Sequence, residues 1–511
     1  MLYPIDGRRI LLAFILSVTL QQAYCQEQVR IQVHDAGTAH GLAAVTISAN
    51  RKAVGMTDSS GLFQLSLPAG KYQLMFSSKG YLNENYTVVL PDTSLIIIGM
   101  KREEQELNSV TVVASTRNNQ PIESSPLKVE ILGREEMEEE NTIKPGNIAS
   151  ILGDISGVQI QQSSATSGNS NVRIQGLEGK YTQIVRDGLP LFEGFSGGFG
   201  VLSVPPLDLR QVELIKGSAS TLYGGGAIGG LINLISRKPS REQEGTLTLN
   251  GSTLKEFNAN AYGSKKNDHI GYTMFAGYTK QSASDINSDG FSDVPDLESI
   301  IIHPKLFIYP SSSGTIAIGY SAVFEKRSGG DMQVLQKNAD NLHQYFENNK
   351  TRRQTTELVY DQYLRHHKKL QVKASLSEFN RDIVTNIHHF DGQQTNYFTE
   401  ASLLIPFSEH SFVAGINVSG DDFKIRSTDP VRLVPFTNNV AGAFAQLTTV
   451  LKDATTLETG IRYDYHNTYG GFFLPRIAVF HRFNEHWGTR AGIGFGYKTP
   501  DPLSQQVIEL P

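Results

Sequence analysis

The stretch "VELIKGSASTLYGGGAIGGLINLIS", residues 212–236, places Gly224, Gly226 and Gly229 in the spacing G-x-G-x-x-G. That spacing can bring a backbone turn against a pyrophosphate at a helix N-terminus, so it raises dinucleotide chemistry. A second candidate is "DINSDGFSDVPD", from Asp285 to Asp296. Asp285, Asn287, Asp289 and Asp293 fall at positions 1, 3, 5 and 9 of a calcium loop, with Gly290 at the turn; Asp296 takes position 12, where glutamate is usual. No flanking helices are expected, and the rival reading is a solvated acidic loop. A third candidate is His388–His389, adjacent imidazoles that could ligate a haem iron; surface histidines are the plainer account, as they are for His366 and His367.

Each candidate depends on the element that carries it. A dinucleotide site needs a strand before the glycines, a helix after them and an acidic residue about 20 positions later. Here Gly230 is followed by "LINLISRKPS", a short run rich in Leu and Ile that stops at Pro239. Such a run makes a strand rather than a long helix. The glycines therefore need a structural explanation, and an enzyme of this kind is not expected.

The N-terminus sets the compartment. "GRRILLAFILSVTLQQAYC" has two arginines and an apolar stretch from Ile10 to Leu20, too short to span a hydrocarbon core of roughly 30 Å as a helix. Residues 1–25 have the n-region and h-region of a signal peptide, with Ala23 and Cys25 placed for cleavage before Gln26. Lipidation of Cys25 is the rival reading. Cleavage would leave an exported chain without cysteine, stabilised by something other than disulfides. The net charge of −5 and the lack of a basic stripe argue against a nucleic-acid partner.

Three regions follow. Residues 26–100 hold short alternating runs, "VRIQVHDAG", "AAVTISAN", "GLFQLSL", "KYQLMFSSKG" and "NYTVVL", separated by turn residues. That is the β-sandwich signature, with Val45, Ile47, Leu62, Phe63, Leu65, Leu67, Tyr72, Leu74 and Phe76 available as a core. From residue 241 to 511 the period of 2 is sustained over strands of about ten residues. "TLETGIRYDYH" sets Leu457, Ile461, Tyr463 and Tyr465 opposite Glu458, Arg462, Asp464 and His466. Long and short connections alternate, with "DIVTNIHHFDGQQT" read as one of the long ones. This is the pattern of a transmembrane barrel, apolar toward lipid and polar toward the lumen. About 13 strands are expected before the chain stops at "QQVIELP" without a closing strand. An open edge in lipid is not tolerated, so the barrel is expected to be the N-terminal part of a longer one.

Between them, "NIASILGDISGVQIQ", "SNVRIQGLEGKYTQIVRDGLPL" and "PPLDLRQVELIKGSASTLYGGGAIGGLINLISRKP" resemble, in that order, the plug domain of TonB-dependent outer-membrane receptors. "TDSSGLFQLSLPAGKYQLMFSSKGY" resembles the carboxypeptidase regulatory-like domain that precedes many such receptors of the Bacteroidetes type, without a zinc pair. Ser156 and Ser218 stand where the family often has proline, and Gln175 and Lys216 where it often has arginine. The fold class implied is mainly β: an N-terminal sandwich, a linker with TonB box at 101–114, an α+β plug at 115–240, then part of a nominally 22-stranded antiparallel transmembrane barrel.

The resemblance also assigns sites and partners. Leu107, Asn108, Ser109, Val110, Thr111, Val112, Val113 and Ala114 lie where this family carries the TonB box; on their residues alone they read as one more strand or as an extended peptide that pairs with a partner's sheet. Cargo contacts are expected on the plug apices "QQSSATSGNS" and "LFEGFSGGFG", at Gln161, Gln162, Ser163, Phe192, Glu193 and Phe195. The phenylalanines could stack on a planar ligand or pack on the barrel wall. The implied partners are the TonB-ExbB-ExbD complex, outer-membrane lipid and a scarce cargo, first a ferric siderophore. Cobalamin comes second, since receptors for vitamin B12 resemble this chain in holding calcium on such an acidic loop, and oligosaccharide third. A signalling receptor would carry a different N-terminal module. No cofactor is required, and Ca²⁺ at Asp285, Asn287, Asp289, Asp293 and Asp296 is the candidate ion.

Overall fold

The period-2 alternation works in opposite senses in the two ends of the chain. The computed structural model describes residues 26–36, 40–50, 52–78, 81–91, 95–101, 124–162, 164, 166–191, 203–426, 434–451, 454–484 and 486–500. They fall into two units, 1–111 and 112–511.

In the first unit the apolar parity points inward. A three-stranded sheet orders Leu62–Pro68, Gln26–Asp35 and Leu95–Met100. A four-stranded sheet orders Lys52–Met56, Thr46–Ala49, Gly70–Ser77 and Glu84–Leu90. Ile31, Ile47, Leu65, Leu74, Phe76 and Met100 are fully buried between them. Leu62 is not in this core but 41% exposed. Phe63, Leu65 and Leu67 take the inward parity, and adjacent residues of a strand face opposite ways. The strand Leu95–Met100, unforeseen from the sequence, completes the first sheet by pairing parallel to Gln26–Asp35.

The second unit begins with a five-stranded mixed sheet in the order Leu189–Pro190, Thr182–Arg186, Gly230–Ser236, Leu209–Lys216, Lys128–Leu132. Every residue of Gly230–Ser236 is buried, which explains its unbroken apolar sequence. The helices Arg134–Ile143 and Ala149–Gly153 cover the sheet through Met137, Ile151 and Leu152, packed with Leu214, Ile232 and Leu234. A hairpin of Val158–Gln162 and Ser170–Ile174 projects beside them.

Thirteen antiparallel strands follow, from Glu244–Gly251 to Gly488–Gly494, each paired with the next. Here the polar parity is inside. Glu458, Arg462, Asp464 and His466 are at most 3% exposed, while Ile461, Tyr463 and Tyr465 are more than 50% exposed. Lys373 is buried and Leu376, three residues on, is 57% exposed. Apolar outside and charged inside is the pattern of a strand that faces lipid on one side and a filled lumen on the other. One connection differs from the sequence reading. "DIVTNIHHFDGQQT" is no long loop, because Lys369–Thr385 and His389–Phe407 stay paired as far as Val384 and His389. The alternation simply continues through that segment, so pairing continues with it.

Candidate functional site

The glycine run seats the plug sheet on the barrel. A helical turn at Ser220–Tyr223 ends at Gly224, whose φ of +104° is accessible to glycine and strained for other residues. At Gly225 a Cβ would lie 2.3 Å from the ring of Tyr497, so only glycine permits this approach. Tyr497 in turn donates its backbone N–H to the Gly225 carbonyl at 3.1 Å, stacks on Phe472 with centroids 3.9 Å apart, and donates its hydroxyl to Asp464 at 3.2 Å. Ser220 Oγ donates to the Phe495 carbonyl at 2.6 Å, and Arg476 Nε to the Ser218 carbonyl at 2.9 Å. After Gly230 comes a strand, not a helix. The G-x-G-x-x-G spacing here is a seat between two domains and not a phosphate cradle.

A second anchorage is ionic. Arg186, at the end of Thr182–Arg186, pairs with Asp208 and donates Nε to Ser236 Oγ at 3.0 Å. His303 of the barrel strand Asp296–Ser311 places Nδ1 2.7 Å from Asp208 Oδ2. Lys305 on the same strand pairs with Asp187 of the plug and, at 3.3 Å, with Glu357 of the strand Phe346–Tyr363. The turn Asp187–Gly188 has φ of +52° and +73°, a D-G hairpin turn, and the Gly188 carbonyl accepts from Lys373 at 3.2 Å. Burial alone would raise the Asp208 carboxyl, but the Arg186 guanidinium and His303 outweigh it and hold Asp208 well below the usual carboxylate range. At Asp187 burial is likewise outweighed by Lys305 and Arg186. Lys216, one of the departures from the family pattern, still reaches Glu130 at 2.7 Å and the Ser156 carbonyl.

Sequence reasoning missed this cluster. Arg186 and Asp187 sit inside "SNVRIQGLEGKYTQIVRDGLPL" with nothing local to give them a role of their own, and no motif singles out His303, Lys305 or Glu357. The available signal was their parity: each lies on the buried, lumen-facing side of its strand.

A cavity of about 650 Å³ lies between the hairpin Val158–Gln162 and Ser170–Ile174 of the plug and the barrel wall. Its lining includes Ser150, Gln162, Thr279, Gln281 and Pro295, on the side where strands meet the long connection after Gln281. Of the expected cargo residues, Gln162 lines the cavity and Gln161 is exposed beside it on the same strand. Ser163, Phe192, Glu193 and Phe195 lie outside the described residues, as does the whole box 107–114.

The acidic loop is closed upon itself. Asp285 accepts from the backbone N–H of Ser288 at 2.7 Å and of Gly290 at 2.9 Å; Asp293 accepts from Ile286 at 2.7 Å. Asn287 donates to Asp289 at 3.0 Å. Asp296 is set apart from them and meets Lys280 at 2.9 Å. His389 faces Asp382 at 2.9 Å, and His388 donates its backbone N–H to Thr385. Among the described residues, no group of three or more His, Cys, Asp and Glu side chains is arranged to hold a metal.

Known proteins share the domain order and the fold. Residues 32–112 match the family model of the CarboxypepD_reg-like domain, 121–231 that of the TonB-dependent receptor plug domain, and 306–507 that of the TonB-dependent receptor-like β-barrel. An iron-regulated outer membrane virulence protein of Vibrio cholerae is 22% identical over 420 residues, 78% of this chain and 61% of that protein. A vitamin B12 transporter BtuB of Vibrio vulnificus is 22% identical over 417 residues, 78% of this chain and 64% of that protein. The chain thus spans about three fifths of the length of these relatives. Among solved structures, the siderophore receptor PirA of Acinetobacter baumannii has a TM-score of 0.62 at 19% identity, covering 74% of this chain and 62% of that one. A ferric enterobactin receptor of Pseudomonas aeruginosa, in complex with enterobactin, has a TM-score of 0.62 at 18% identity, covering 73% and 63%. At such identities the structural likeness speaks for the fold. The three domain matches, in the order sandwich, plug and barrel, place this chain in the family of TonB-dependent receptors.

Proposed function

We propose that the protein carries a ferric siderophore across the outer membrane in a TonB-dependent step. The observation that carries this reading is the seating of the plug against the polar wall of the barrel, with a cavity on the side of the long connection after Gln281. A cargo held there can pass only when the plug moves. Scarce cargo demands tight binding, and a Kd near 1 nM corresponds to about −12 kcal/mol. With association near 10⁶ M⁻¹s⁻¹, such a cargo would stay bound for roughly a thousand seconds, so release must be driven. The outer membrane has no ATP of its own, and the drive comes from the TonB-ExbB-ExbD complex through residues 107–114, by strand pairing. Residues 1–25 direct export and are removed.

Replacing Val112 with proline removes a backbone N–H from that pairing. In cells expressing the receptor, this variant is expected to bind ferric siderophore normally at the surface and to accumulate no iron. Normal accumulation would refute the assignment of the box. Cobalamin is the second reading. It draws on the acidic loop and on relatives named as vitamin B12 transporters.

A further inference from the structure

The charges around the cavity select among ferric chelates. Arg327 lines it but is already committed: Nε lies 2.6 Å from Glu325, and NH1 donates to the Ser167 carbonyl of the plug at 3.1 Å. Glu325 lines the space as well, neutralised by Arg327, and three further charged side chains do so, Lys144, Glu256 and Asp293. Lys144 is exposed just past the end of Arg134–Ile143, while Glu256 and Asp293 are half-buried. Glu256 accepts from Asn258 Nδ2 at 2.9 Å, and Asp293 from the backbone N–H groups of Ile286 and Asn287 at 2.7 and 3.1 Å. These are neutral donors, which leave both carboxylates uncompensated by charge. The described wall therefore presents an excess of negative charge to its occupant.

We infer that the cargo is a ferric chelate without net negative charge, of the trihydroxamate type rather than the tris-catecholate type. The inference rests on the siderophore reading above. Three hydroxamates, each deprotonated once, neutralise Fe³⁺; three catecholates, each deprotonated twice, leave a trianion. Like charges brought together in an interface cost several kcal/mol. A neutral complex avoids that cost and still offers oxygen acceptors to amides such as Gln162.

The test uses the receptor in outer membranes and two probes, a ferric trihydroxamate and a ferric tris-catecholate, in equilibrium binding. The trihydroxamate is expected to bind at least about a hundredfold more tightly. In Glu256→Gln combined with Asp293→Asn, the gap should narrow by about tenfold or more through tighter catecholate binding; Glu256→Gln alone, which keeps the acidic loop intact, should narrow it in the same sense. Catecholate binding equal to or tighter than hydroxamate binding would overturn the inference and leave the siderophore reading standing. Binding of neither probe would overturn both.

Discussion

Asp208→Asn tests whether the buried ion cluster holds the plug to the barrel. Asp208 is 3% exposed and bridges Arg186 of the plug and His303 of the barrel through one oxygen. Asparagine keeps the shape and removes the charge. Removing one partner of a buried pair typically costs about 3–5 kcal/mol, because the other charge stays buried. Asp187 and Glu357 also face the Arg186 guanidinium electrostatically, which places the expected cost at the low end, about 3 kcal/mol. Amide hydrogen exchange of Thr182–Arg186 in membrane-embedded receptor reads that loss directly, since opening of the strand exposes its amides. With each 1.4 kcal/mol worth a factor of ten, exchange should accelerate by about two orders of magnitude. Asp296→Asn is the matched control: its partner Lys280 is 41% exposed, and such pairs contribute about 0–1 kcal/mol. Equal exchange in Asp208→Asn and the parent would refute the idea that this cluster is an anchorage.

Further outcomes follow from the same contacts. Asp208 and Asp187 are both depressed, so their stabilisation is fully present above the unfolded carboxylate value of about 3.9 and is lost only as pH falls through the lower folded values. Protection of Thr182–Arg186, corrected for intrinsic exchange rates, is therefore expected to stay flat from about pH 7 to about pH 5 and to fall only below it; a drop inside that window would contradict the assignment. Gly225→Ala forces a methyl into the ring of Tyr497 and should destabilise the plug seat by about 1–3 kcal/mol, read as a lower midpoint in thermal unfolding, with partial recovery when Tyr497 is shortened to Leu. Calcium binding to the acidic loop requires Asp296 to leave Lys280, so Lys280→Ala should bind Ca²⁺ more tightly than the parent in calorimetry; identical heats would separate calcium from this loop.

The sequence made the architecture legible because parity survives translation into structure. Leu457, Ile461, Tyr463 and Tyr465 against Glu458, Arg462, Asp464 and His466 is a local pattern, and it alone indicates which side of a strand meets lipid. The glycine run was legible for the same reason: ten residues after Gly229 exclude the helix that a phosphate site needs. What parity cannot give is the partner across the lumen. Arg186 and His303 are 117 positions apart, and Ser220 and Phe495 are 275 apart. Nothing in either local sequence names the other, since a buried arginine and a solvated one look alike until the wall opposite is known. The same limit governed the acidic loop, where spacing nominated five ligands but the diversion of Asp296 to Lys280 depends on the neighbouring strand. It also governed the cavity. Glu256 and Asp293 are 37 positions apart and belong to different barrel elements, and only the pairing of Glu256–Lys266 through Asp296–Ser311 brings their carboxylates to one space beside the plug. Domain order and facing are thus properties of each strand, whereas anchorage and the lining of the cavity arise from the packing of one domain against another.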